Sequence, residues 1–237
     1  MSKYKLLVTS GCSFTAGYST WPNPLSQKFN CHLKNYAIVS VGNGRISRSI
    51  IYGVNEALKE YHPDDILVGI IWSGSNRREF FQSDVDLENI TTTGTANPHR
   101  FIDQADDNWV TLNHHWNDVY SKTFYKYFYD EVDSEIITLE HILRTQWFLE
   151  KKNVKYFMSC FAPAVLPHKE NVNTKHLRDM VDWSKFLNVS SYMEWCLDSG
   201  VPINENDKGR PLTSMHPTPE HDIKFVNDVI IPFVNKL

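Results

Sequence analysis

The sequence predicts a single α/β domain spanning residues 1–237, a three-layer α/β/α sandwich around a parallel, flavodoxin-like sheet, with an aromatic-rich insertion at about 80–133. Three observations predict it. Short apolar runs alternate with longer stretches of helical periodicity, as parallel strands joined by crossover helices require. The strongest run, Ile66-Leu67-Val68-Gly69-Ile70-Ile71-Trp72, shows no polar alternation, which marks a strand buried on both faces. Small polar residues follow the runs, as in Gly11-Cys12-Ser13, Gly42-Asn43-Gly44 and Ser73-Gly74-Ser75, where a parallel sheet builds its sites.

Taken in order, Lys5-Leu6-Leu7-Val8-Thr9-Ser10 is the first strand, closed by Gly11. Tyr36-Ala37-Ile38-Val39-Ser40-Val41 is the candidate second strand. A helix over 46–61 places Ile50, Ile51, Val54 and Leu58 on one face. Residues 66–72 form the third strand. A helix from about Ser134 to Lys152 carries Ile137, Leu139, Ile142, Leu143 and Phe148 and ends in two lysines, as suits a helix C-terminus. Lys155-Tyr156-Phe157-Met158-Ser159-Cys160 is the fourth strand. The last helix starts at Thr218-Pro219-Glu220, an N-cap followed by proline at the first helical position, and runs through Phe225, Val229 and Ile230. The insertion is polar first, then rich in Trp and Tyr. A mini-core beneath it is the first reading for most of Phe124 to Tyr129, with a sugar-stacking surface and a subunit interface as alternatives.

At 237 residues one core buries enough apolar surface to need neither disulfide nor metal. The net charge of −4, without a long basic run, argues against nucleic acid as a partner. Cys12, Cys31, Cys160 and Cys196 lack metal or redox spacing and read as free thiols in a reducing compartment. The start Met1-Ser2-Lys3-Tyr4 carries no apolar leader, and no stretch of 18 apolar residues occurs, so no membrane partner and a cytoplasmic location are expected. No metal and no cofactor are expected.

Ser13 stands just after the first strand, where a hydroxyl projects and backbone N–H groups converge. A strand-Gly-x-Ser turn also binds phosphate or caps a helix, so this serine alone decides nothing. Asn76 follows the third strand, and its amide can donate to an oxyanion. His216 precedes the last helix at the same sheet edge. A serine, an imidazole and an amide donor are the parts needed for acyl transfer.

In this order the blocks resemble the SGNH/GDSL hydrolases, as a GCSFT-type member. Gly11-Cys12-Ser13-Phe14-Thr15 looks like the first block, with Cys12 where Asp is commonest. Asn35-Tyr36-Ala37-Ile38-Val39-Ser40 resembles the second, Gly74-Ser75-Asn76 the third and His216-Pro217 the last. The resemblance implies a serine hydrolase, either an esterase or a carbohydrate O-deacetylase, acting on a small-molecule or carbohydrate ester. Ser13 would be the nucleophile and His216 the general base. Asn76 and the backbone of Ser40 would form the oxyanion hole, with Gly42 the alternative if the loop shifts. Two positions depart from the pattern. Ser40 stands where the family has glycine, and Thr213 stands where it has the aspartate that orients the histidine. Losing that role costs serine proteases about 10⁴ in kcat, so the alternative is a catalytically degenerate binding or structural protein on the same fold.

The remaining charged groups have plainer readings. Arg77-Arg78-Glu79 reads as an ion pair at a loop edge, or Arg77 enters the site to bind an anionic substrate group. Arg45 and Arg48 admit the same two readings. His114-His115 should point apart in a strand or helix and so make no metal site. His221 is expected to pack or face solvent inside the last helix.

Overall fold

The computed structural model describes residues 3–17, 19–81, 109–163, 171–202 and 216–237. Four parallel strands form the main sheet: β1 (Leu6–Gly11), β2 (His32–Asn35), β3 (Ile66–Trp72) and β6 (Lys155–Cys160), in the order β2-β1-β3-β6. The pairings Leu6 with Ile66 and Leu67 with Lys155 set the central register. β1 and β3 are buried along their whole length, which is why they read as unbroken apolar runs. Beyond β6 the chain bridges Met158 to Phe186, and Leu187 N–H donates to Met158 O at 2.8 Å, so a short extended stretch lies along that edge.

Helices cover both faces. On one lie α1 (Pro22–Phe29), against β1 and β2, and the C-terminal α7 (Pro219–Phe225) packed on it. On the other lie α2 (Asn43–Ala57), against β1 and β3, and α4 (Glu131–Lys151), against α2 and β6. The three-layer α/β/α sandwich is thus the fold. Short helices α5 (Lys175–Met180) and α6 (Tyr192–Asp198) follow β6, and a π-helical stretch at Val226–Ile230 leads into α8 (Ile231–Val234). The cause of the π turn is Pro232, which lacks the N–H a regular helix would use there.

The core centres on Trp21, Trp72, Tyr192, Phe157 and Phe225 with the apolar faces of β1 and β3. Each large side chain so buried contributes about 1.5–3 kcal/mol relative to exposure. α4 is well specified at both ends. Its N-cap Asp130 accepts from Val132 N–H and Asp133 N–H at 2.8 and 2.9 Å, and Lys151 lies in the last turn.

Two expectations are corrected. The second strand is 32–35, not 36–41. β2 is the sheet edge, and its residues are mostly polar and only partly buried, while the more apolar Tyr36–Val41 runs on as a loop. Asn35 ends the regular ladder: its Oδ1 accepts from Ala37 N–H and Thr9 Oγ1 at 3.0 Å each, and its Nδ2 donates to Thr15 O at 2.8 Å. The helix expected over 46–61 also starts earlier, at Asn43, and ends at Ala57.

Within the insertion, β4 (Arg78–Phe81) and β5 (Trp109–Leu112) pair antiparallel, and α3 (Val119–Tyr127) packs on them. Val110, Leu112, Phe80, Tyr120, Phe124 and Tyr125 form a second small core. The mini-core reading holds for Phe124 and Tyr125, but Tyr127 and Phe128 are exposed. The four cysteines are free thiols. No helix among the described residues is long and apolar enough to cross a membrane.

Candidate active site at the carboxyl edge of the sheet

The chain leaves β1 outward to β2 and returns across it to β3, so the crevice between the ends of β1 and β3 is the switch point where α/β sheets place their ligands. β1 ends at Gly11. A Cβ there would lie 2.3 Å from Thr15 Oγ1 and 2.9 Å from Ile71 O, so only glycine lets the following turn close this tightly. Thr15 N–H and Ala16 N–H both donate to Cys12 O at 2.9 Å. The turn lifts Ser13 to the edge, and no described residue accepts its N–H.

His216 arrives from the start of the C-terminal helix, 203 residues away, with its Nε2 2.8 Å from Ser13 Oγ. That is hydrogen-bond reach for a nucleophile and its base. The imidazole lies flat on Phe14, with centroids 4.7 Å apart and planes 16° apart. Phe14 is itself buried against Phe161 and Tyr192. The platform therefore comes from the residue next to the serine, which fixes both partners at once. Thr213 lies outside the described residues, and among these nothing bonds to His216 Nδ1.

The loop after β2 is pinned to the end of β3 by a residue that the sequence showed only as part of a strand stop. Buried Asn43 accepts Ser73 N–H at 2.8 Å and donates to Ser73 O at 3.1 Å and to Thr138 Oγ1 at 3.2 Å. Asn43→Ala leaves three buried polar groups without partners and is expected to destabilise by about 2–4 kcal/mol. Urea unfolding reads this, and a loss under 1 kcal/mol would mean the two loops are held by something else.

Of the oxyanion candidates, Ser40 adopts φ 63°, the left-handed conformation that glycine takes freely. Its backbone thus copies the glycine it stands for, and no described residue accepts its N–H. A serine held there costs roughly 1–2 kcal/mol, partly offset by the entropy a glycine would add to the unfolded chain. Ser40→Gly is accordingly expected to be neutral or stabilising by up to about 1 kcal/mol, where an ordinary loop serine would lose stability. Denaturant midpoints of the two proteins check it.

Gly42 is corrected as an oxyanion donor. Its N–H is already held by Glu79 Oε1 at 2.9 Å. Asn76 stands beyond β3, but its Oδ1 folds back over Gly74 and its Nδ2 faces His114 Nδ1 at 3.4 Å, so the amide is bonded to neither Ser13 nor His216. The backbone of Asn76 is anchored by Tyr125, whose hydroxyl lies between the carbonyls of Asn76 and Leu112. Burial pushes that phenol well above its usual range.

Arg77 reaches neither Ser13 nor His216. It donates to Val41 O at 3.0 Å and Ser73 Oγ at 2.6 Å, clamping the same two loops as Asn43. The ion-pair reading of 77–79 applies to Glu79, paired with Arg48 at 2.9 Å, and to Arg78, paired with Asp133 at 3.4 Å. His114 and His115 do not point apart, because they sit in a turn after β5; their rings are 3.7 Å apart. Among the described residues no three His, Cys, Asp or Glu side chains gather as a metal site. His221 is buried and closes a capping box with Thr218.

Fold and geometry together define a three-layer α/β/α protein with a serine–histidine pair at the sheet's switch point. Residues 11–195 match the model of DUF6071, a family of unknown function, and the chain belongs to that family. The match takes in Ser13, Asn43 and Asn76 and ends before His216. No curated protein matches the chain.

Proposed function

We propose that the protein is a serine ester hydrolase resembling the SGNH/GDSL type, an esterase or carbohydrate O-deacetylase. The observation that carries this reading is the 2.8 Å approach of Ser13 Oγ to His216 Nε2 at the open edge of the sheet. In the proposed reaction His216 Nε2 takes the hydroxyl proton as Oγ attacks the acyl carbon. The carbonyl oxygen becomes an oxyanion held by the N–H groups of Ser13 and Ser40. The imidazolium then protonates the leaving alcohol, giving an acyl-serine. Water, deprotonated by the same imidazole, releases the acid and restores Ser13. Asn76 joins the oxyanion hole only if its amide turns from His114.

A fluorophosphonate probe tests the proposal. Stoichiometric labelling mapped to Ser13, blocked in His216→Gln, is expected. Absence of labelling at Ser13 favours the second reading, a binding protein without turnover, to which the present orientation of Asn76 lends support.

A further inference from the structure

We infer that the cleft between the start of α2, the β3–β4 loop and α4 is a binding site for a tetrahedral oxyanion, phosphate or sulfate, free or as the charged end of a small ligand. The inference needs nothing from Ser13 or His216. The cleft holds about 450 Å³ and is lined by Arg48, Arg77, Arg78 and Arg144, with Glu79 and His141. Its loops follow β2 and β3, so it opens on the same sheet edge as the serine.

Charge decides what the cleft can hold. The one lining carboxylate, Glu79, is already satisfied by Arg48 at 2.9 Å and by Gly42 N–H. Arg48 is further fixed by lying 3.6 Å over the Trp109 ring. Arg77 gives its bonds to neutral acceptors, Val41 O and Ser73 Oγ, and Arg144 Nε donates to Ser47 Oγ at 3.1 Å. Arg78 meets Asp133 only at 3.4 Å in an exposed pair, which is worth little. Positive charge therefore exceeds negative within one partly enclosed volume. His141 feels it: burial and the charges of Arg144, Arg48 and Arg78 push its pKa down to about 3, so it adds no charge at neutral pH and can offer a neutral ring nitrogen as donor. Guanidinium forks around a concavity suit an oxyanion, which accepts several bonds at once, better than a neutral sugar or an apolar chain.

Titration calorimetry of the full chain with inorganic phosphate, at fixed ionic strength in chloride, tests the site. Saturable one-to-one binding is expected. Arg144→Gln and Arg78→Gln should each weaken it by about 10-fold or more, the loss of one charge-assisted bond. Thermal melts establish that each variant is folded, and Arg78, at the rim, serves if Arg144→Gln is not. Glucose 6-phosphate in place of phosphate separates the sources: tighter binding assigns the anion to a phosphomonoester, weaker binding to the free ion, and both sustain the site. Phosphate that binds no better than chloride, or folded variants with unchanged affinity, would overturn it. Since no turnover is read, failure of the hydrolase proposal leaves this result standing, and the reverse is equally true.

Discussion

Ser13→Ala is expected to lower turnover of any accepted ester by at least about 10³-fold while leaving the fold intact. The substitution removes one oxygen and leaves the His216 ring stacked on Phe14, so the base stays in place without a nucleophile to serve. Ser13 sits at the edge rather than in the core, and the change should alter stability by no more than about 0.5 kcal/mol. Removing the base instead, in His216→Gln, should cost a comparable factor, because the two groups act as one unit and their losses do not add. Initial rates on short p-nitrophenyl esters, beside the thermal midpoint of each protein, check both statements. Equal rates for wild type and Ser13→Ala would remove the hydrolase reading for that substrate class. The wild-type rate itself is expected to be modest. With Thr213 where an aspartate would fix the imidazole, the ceiling lies up to about 10⁴ below a complete triad.

What could be read beforehand follows from where burial is two-sided. β1, β3 and β6 were legible as continuous apolar runs because helices cover both faces of the sheet. β2 was not, since a mostly polar, partly buried edge strand, His32-Leu33-Lys34-Asn35, looks less strand-like than the loop after it. α1, with two prolines in its first three residues, carries too weak a helical pattern to announce itself. The meeting of Ser13 and His216 was legible from their places, one just after the first strand and the other just before the last helix. The commitments of Gly42 to Glu79 and of Tyr125 to the Asn76 carbonyl were not, because each joins residues dozens of positions apart and neither sequence neighbourhood signals a partner. The arginine cleft was half legible. Arg48, Arg77 and Arg78 drew notice singly, but only the fold adds Arg144 from α4 and shows these charges sharing one volume.

Asp222→Asn is expected to stabilise the protein increasingly as pH rises above about 4, with the full gain reached above about pH 7. Asp222 lies on the buried face of α7, where it accepts from Tyr192 Oη at 2.6 Å. Desolvation raises its carboxyl to about 7, against bonds from Tyr192 and the Trp21 backbone that pull the other way. The ordinary carboxylate value, reached on unfolding, is about 3.9. Between these two values the folded chain keeps a proton that the unfolded chain gives up. The favourable contribution is therefore complete below about pH 4 and is lost as pH rises through about 7. The gap of roughly three pH units corresponds to about 4 kcal/mol at most. Asparagine keeps an oxygen for Tyr192 and cannot ionise, so variant minus wild-type stability should be near zero at pH 4 and reach about 2–4 kcal/mol at pH 8. Urea unfolding across that range measures it, and a difference that ignores pH would show that Asp222 ionises no differently in the folded chain. The same cluster bears on the active site. Tyr192 packs edge-on against Phe14, which carries the His216 ring, so relief of this buried charge should hold that platform firm to higher pH.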